Sequence, residues 1–332
     1  MPAGGSLSVS RQDSAAVTRR RPRAALRSSH DREIAALALP ALGALVADPV
    51  LSLVDTAFVG RIGSGELAAL GVASAVFAVA FFAFNFLEYG TTSLVAKAVG
   101  RGAADDAGRA VVLAFVTAIG VGLAAIVLLE TLTGPIVGAL GGTGEVRSDA
   151  VTYIRIRALA APALLIVRAG HGAYRGFQDT RTPLIVTLGI NGLNLVLDPL
   201  LIFGAGWGIA GAAWATVAAQ YAGAAWFLWL TMRHHRERLG IVPGRPDLAE
   251  LGAFIRIGRD LAIRTGSLLV FFTLATAVAT RVSETAIAAH QVVIQMWLLL
   301  SLALDAVAIA AQALVGRYLG ERRPEAATAV AD

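Results

Sequence analysis

Cysteine is missing from all 332 residues, and charge is scarce: Lys, Arg, Asp and Glu together make up 15%. A soluble domain carries roughly 25%. The first absence excludes disulfides, thiolate metal sites and cysteine nucleophiles, and is silent about redox compartment. The second fits a chain whose solvent is largely lipid. Also lacking are an Asp-x-Asp metal pair, HExxH, Gly-x-Ser-x-Gly and a Gly-rich phosphate loop before a lysine, which argues against a membrane-embedded enzyme. What is present is apolar: 56% hydrophobic residues and a mean hydropathy of +0.68.

The net charge of +5 does not point to nucleic acid. It is concentrated in the N-terminus and short loops, where it reads as a topology signal. Residues 1–32 hold the run Arg19, Arg20, Arg21, Arg23 and Arg27. The following apolar segment is too long for a secretory signal, and Pro22 breaks the twin-arginine pattern. A disordered basic cytoplasmic tail is expected there.

Eight apolar segments follow, each long enough for the roughly 20 residues a membrane helix needs. They cover 34–60, 67–98, 107–130, 149–173, 182–204, 208–231, 253–281 and 285–319. Continuous rather than alternating apolarity makes them helices, not barrel strands. The expected fold is therefore an all-α polytopic membrane protein. Loops rich and poor in basic residues alternate: Lys97, Arg101, Arg109, Arg175, Arg181, Arg233, Arg236, Arg238, Arg245, Arg317, Arg322 and Arg323 against Arg61, Arg147 and Arg281. This places both termini in the cytoplasm, and the expected location is the inner (cytoplasmic) membrane. Arg155, Arg157 and Arg168 in the fourth span are expected to share one polar stripe.

An internal repeat runs at a constant offset of 220 residues: Thr56/Thr276, Ala57/Ala277, Arg61/Arg281, Ala68/Ala288, Ala69/Ala289, Val72/Val292, Leu94/Leu314, Val95/Val315 and Gly100/Gly320. Spans 1–2 and 7–8 thus read as equivalent parts of two six-helix bundles. Residues 33–232 form the first lobe (spans 1–6), 233–252 a cytoplasmic linker, and 253–332 a partial second lobe.

Acids inside membrane spans are costly and need a reason. Span 1 carries Asp48-Pro49 and Asp55, seven residues apart and so on one face. Pro40 and Pro49 free backbone carbonyls and allow a bend. Span 5 collects Asn191, Asn194 and Asp198 on one stripe. Such a set of oxygens suits Na⁺ or a protonated acid, or serves as interhelical hydrogen-bond glue. Span 6 adds Thr216 and Gln220, one turn apart; a lone Thr usually bonds its own backbone. Asn85, Glu88, His290, Asp305 and Gln312 are secondary polar groups in spans 2 and 8.

Five stretches carry a family resemblance: Leu53-Val-Asp55-Thr-Ala-Phe-Val-Gly60-Arg-Ile-Gly63, Tyr174-Arg-Gly-Phe-Gln-Asp179-Thr-Arg-Thr-Pro183, Asn194-Leu-Val-Leu-Asp198-Pro199, Gly208-Ile-Ala-Gly211-Ala-Ala-Trp-Ala-Thr216 and Ala288-Ala-His290-Gln291. In this order the chain resembles the DinF-type branch of the multidrug and toxic-compound extrusion (MATE) transporters over residues 33–320. The resemblance implies twelve helices in two pseudo-symmetric lobes around a V-shaped cavity, truncated here after the eighth. It implies export of cationic or amphipathic drug-like molecules in exchange for H⁺ or Na⁺, with no cofactor, no enzyme activity and a monomer in the lipid bilayer. Matching motif positions implies an ion site, for H⁺ or for Na⁺ as the bound metal, at Asp55, Asn194, Asp198 and Thr216. Pro40 matches a proline associated with bending. Asp48, Asn191, Gln220, His290, Gln291 and Asp305 stand as further candidates. Two alternatives remain: a flippase for lipid-linked precursors, whose cavity would need several cations, and an inactive fragment.

Overall fold

A computed structural model describes residues 29–82, 85–234 and 248–331. The basic tail expected at 1–32 lies almost wholly outside the described residues, as do 235–247 of the linker expected at 233–252; the linker's other residues are helical, so the connection is shorter than expected. Every element among the described residues is helical: α1 (Ser29–Gly60), α2 (Ser64–Phe82), α3 (Asn85–Gly100), α4 (Ala104–Ala139), α5 (Gly144–Ala158), α6 (Ala161–Gly176), α7 (Arg181–Pro199) with a π-helical extension Leu200–Gly204, α8 (Gly208–His234), α9 (Leu248–Val282), α10 (Glu284–Gly320) and α11 (Pro324–Ala331).

Four stretches are long and apolar enough to cross a bilayer: His30–Gly60, Ala104–Ala139, Arg181–Gly204 and Val292–Gly320. The pair α5 and α6 forms a fifth, bent by 52°. This break, at Leu159–Ala160 with Pro162 in the first turn of α6, corrects the expectation of one continuous fourth span. Proline lacks the N–H that a continuous helix would use there and is tolerated in a first turn. α1 stays helical through both Pro40 and Pro49.

Lipid tails supply no hydrophobic drive between helices, so close backbone approach and dispersion must hold them together. α6 shows how: nearly its whole length is buried, and its glycines are contact points. A Cβ at Gly170 would strike the Phe227 ring, one at Gly172 the Glu88 backbone, and one at Gly176 the Val95 side chain. α6 is therefore the axial helix around which α3, α4 and α8 pack. One buried apolar cluster joins α3, α4, α6, α7 and α8, a second joins α2, α5 and the start of α8, and a third joins α1, α10 and α11.

The repeat is visible in three dimensions. A Cβ at Gly100 would strike the carbonyl of Arg317, and one at Gly320 the carbonyl of Lys97. Those are mirror-image contacts between equivalent positions, so α3 and α10 cross about an approximate two-fold axis. Correspondingly, α1 packs on α10 while α9 packs on α3. The turns that follow match as well: Ala103 N–H donates to Ala98 O, and Arg323 N–H donates to Tyr318 O at 2.9 Å. Gly102 and Arg322 both have positive φ, 68° and 58°. α11 thus repeats the start of α4.

Candidate functional site

α1, α7 and α8 converge on a cavity of about 220 Å³ lined by, among others, Asp48, Asp55, Asn191, Asn194, Thr216 and Gln220. Asp198 lies behind this wall, 1% exposed. The i, i+4 spacing on α7 stacks Asn194 over Asp198, and Asn194 Nδ2 donates to Asp198 Oδ1 at 3.3 Å. Turned the other way, the same nitrogen donates to both Asp55 oxygens, at 3.2 and 3.1 Å. The carboxyls of Asp55 and Asp198 are themselves within hydrogen-bond reach of one another. Two carboxylates so close and away from bulk water repel strongly unless a proton or cation is shared between them. An amide that serves either one completes such a set, since its oxygen can accept from the carboxyl that carries the proton.

Thr216 donates its hydroxyl to Ala212 O at 3.1 Å, the ordinary backbone bond of a helical Thr. Its oxygen keeps free lone pairs on the cavity side. Further along the cavity, Asn191 Nδ2 donates to Asp48 Oδ1 at 3.0 Å, and the Gln220 Oε1 is buried without a hydrogen-bond partner. Six of the expected polar groups thus line one cavity, with Asp198 buried against Asn194.

The second-lobe candidates do not join them. His290 Nε2 lies 3.1 Å from the Thr276 hydroxyl, a pairing between α9 and α10. Asp305 is exposed on α10. Gln312 donates to Tyr89 O at 3.0 Å and Ser93 Oγ at 2.8 Å, pinning α10 to α3 rather than lining a cavity. The Gln291 side chain lies outside the described residues. Pro40 is part of α1, next to the buried Ala41 and one turn from the buried Ala44.

The arginine expectations change. Arg155 pairs with Glu130 at 3.4 Å on the bundle exterior, so it leaves the expected stripe; two residues along a helix turn a side chain to nearly the opposite face. Arg157 and Arg168 both line the cavity. Arg175 reads in the sequence as a loop charge, yet it is 2% exposed. It pairs with Glu88, which also binds Arg168 at 3.2 Å. His171, within the same buried set, has Nε2 3.2 Å from the Thr187 hydroxyl. No local spacing signals this network, because Glu88 is 80 and 87 residues from its partners. Intramembrane charges survive by pairing in this way.

The MatE family model matches residues 40–200 and 263–332. The chain belongs to the MATE family, whose members are efflux transporters rather than enzymes. Among relatives, Protein DETOXIFICATION 44, chloroplastic, of Arabidopsis thaliana is 42% identical over 85% of this chain and 56% of its own length. DNA damage-inducible protein F of Escherichia coli is 33% identical over 89% and 65%, and the probable multidrug resistance protein NorM of Thermotoga maritima 31% over 87% and 63%. The chain thus spans between half and two thirds of these relatives. A solved structure of MATE in the bent conformation superposes with a TM-score of 0.83, at 23% identity over 91% of this chain and 68% of that one. That likeness establishes a MATE fold; the family it belongs to is membrane-embedded and multi-pass.

Proposed function

We propose that the chain forms the ion-binding lobe of a secondary efflux antiporter. In it, H⁺ or Na⁺ held by Asp55, Asn194, Asp198 and Thr216 exchanges for a cationic or amphipathic small molecule in the adjoining cavity. The observation that carries this reading is the contact between the Asp55 and Asp198 carboxyls with the Asn194 amide against both. Such a cluster stores one positive charge and is unstable without it.

The site opens to the cavity through Asp55, Asn194 and Thr216, so an arriving ion changes the charge seen by cargo there. Neutralising the acids weakens their hold on a cation in the same cavity, which makes ion and cargo compete. α1 carries Asp55 together with Pro40 and Pro49, whose missing hydrogen bonds let the helix bend as the charge changes. Rocking of one lobe against the other then exposes the cavity to alternate sides. The loop arginines set both termini on the cytoplasmic side of the inner membrane.

Proteoliposomes containing the 332-residue chain and a fluorescent cation such as rhodamine 123 test this. Dye movement is expected to follow an imposed H⁺ or Na⁺ gradient, and Asp55→Asn and Asp198→Asn are each expected to abolish that dependence. Gradient-driven movement that survives in both variants contradicts the proposal.

A further inference from the structure

One ion pair lies on the outside of the bundle, where acyl chains are the solvent. Glu130 on α4 and Arg155 on α5 meet at 3.4 Å, with side chains 39% and 52% exposed. The face of α4 around Glu130 is apolar and exposed, carrying Leu123, Val127, Leu128 and Leu132. Such a face belongs against lipid. α4 runs for 36 residues. With α4 centred in the bilayer, Glu130 lies about 13 Å from the mid-plane at a rise of about 1.5 Å per residue. The hydrocarbon ends about 15 Å from that plane. The pair therefore sits just beneath the headgroups, in the non-cytoplasmic leaflet by the loop charges.

Charges at that depth are costly unless they are well paired, and these two satisfy each other poorly. Their one contact runs from Arg155 Nε to Glu130 Oε2, longer than a strong charge-assisted hydrogen bond. Neither side chain takes part in a hydrogen bond among the described residues. Both terminal nitrogens of Arg155 and the second oxygen of Glu130 are thus left for a neighbour outside the bundle. Glu88, inside the lobe, is different: two arginines hold it. Stapling α4 to α5 would be a purely structural use for the pair. Yet Leu129 and Val137 of α4 already share a buried cluster with Ala150, Tyr153 and Ile154 of α5, so the two helices are joined without it.

We propose that Glu130 and Arg155 form a docking point for the headgroup of a zwitterionic phospholipid with a primary ammonium, a phosphatidylethanolamine. Its phosphate takes the open nitrogens of Arg155, and its ammonium donates to the open oxygen of Glu130. A purely anionic headgroup meets repulsion from Glu130 and leaves that acid unpaired. A choline headgroup keeps the positive charge but has no N–H to donate. Ethanolamine supplies both complements on one short headgroup. The inference is independent of the ion site and of the transport reading.

Native mass spectrometry of the purified chain, released from nanodiscs of phosphatidylethanolamine, phosphatidylglycerol and phosphatidylcholine in equal parts, reads which lipid is retained. Phosphatidylethanolamine is expected to be enriched over each of the others by at least about tenfold, or ~1.4 kcal/mol. Stepwise N-methylation of its headgroup should erode the enrichment as donors are lost. Glu130→Gln is expected to level phosphatidylethanolamine with phosphatidylglycerol, and Arg155→Gln to abolish selective retention. Circular dichroism reports that each variant is folded; if one is not, the methylation series on the wild type decides alone. Equal retention of the three lipids, or a flat methylation series, overturns the proposal. So does an enrichment that survives in either folded variant. The chain has no cysteine, so Thr152→Cys, at an exposed position three residues before Arg155, reports a rival occupant. A disulfide between copies, formed in high yield there in proteoliposomes, assigns the face to a second copy of the chain and overturns the proposal as well.

Discussion

The two copies of the repeat share a backbone and differ in chemistry. In α1, the acids and a proline that shape the site are Asp48, Pro49 and Asp55; at the same offset α9 carries Leu268, Leu269 and Ala275. Thr56 and Thr276 are identical, and both hydroxyls donate to the backbone carbonyl four residues earlier, at 2.8 and 2.9 Å. What the copies conserve is therefore the part that builds helices and their crossing. What they do not conserve is the set of acids proposed above to hold an ion. Environment at matched positions is alike: Val50 on α1 and Val270 on α9 are both exposed, as are Leu53 on α1 and Phe271, Leu274 and Val278 on α9. In a membrane these are lipid- or helix-facing positions, so exposure of apolar side chains carries no penalty.

The strongest way to test this contrast is to remove one acid from each copy. Glu88→Gln leaves Arg175 buried without a counter-charge, and thermal unfolding in detergent is expected to show a loss of about 3–5 kcal/mol. Asp305→Asn, on the exposed face of α10, is expected to change stability by less than about 0.5 kcal/mol. A similar loss in both would mean that the second copy hides an ion-pair network of its own.

Function should divide in the same way. Asp55→Asn is expected to weaken the response of intrinsic tryptophan fluorescence to H⁺ or Na⁺ by at least about tenfold, or ~1.4 kcal/mol. Ala275→Asp, which writes the same acid into the equivalent place in α9, should create no second response, because α9 has no partner matching Asn194 and Asp198 among the described residues.

The shared crossing should respond symmetrically. Gly100→Ala and Gly320→Ala each force a Cβ into an opposing carbonyl, and each is expected to cost about 1–3 kcal/mol. The two losses should be equal within error, and a large inequality would break the two-fold relation. The smallest effect belongs to the turns. Arg322 holds the left-handed conformation that Gly102 occupies in the first copy. Arg322→Gly is expected to stabilise by about 0.5–1 kcal/mol, and Gly102→Arg to destabilise by a similar amount; chemical denaturation of both variants checks this.

Much of this was legible in the sequence because it is local or repeated. The helices follow from apolar run length, and Asn194 and Asp198 fall together because four residues make one helical turn. The Gly100/Gly320 match marked the repeat, while the crossing it makes appears only in the structure. The rest depends on contacts between distant segments. Arg175 looks like a loop charge until Glu88, far away in sequence, is packed beside it. Arg155 leaves the stripe because side-chain direction, not proximity in sequence, decides its neighbour, and the 52° break before α6 resets the helical phase between Arg157 and Arg168. His290 belongs to a family motif, yet its ring meets Thr276 rather than the cavity; motif membership fixes position and leaves the contact open.

The central claim is that one positive charge is held between Asp55 and Asp198 in the first lobe. Infrared difference spectroscopy of the purified chain in lipid, titrated with H⁺ and then with Na⁺, reads the carboxyl groups directly. The account predicts a neutral-carboxyl C=O band, or its replacement by a cation-bound carboxylate signal on adding Na⁺, that vanishes in both Asp55→Asn and Asp198→Asn and persists in Asp305→Asn. A band that survives in either of the first two variants, or that disappears with Asp305, would contradict it.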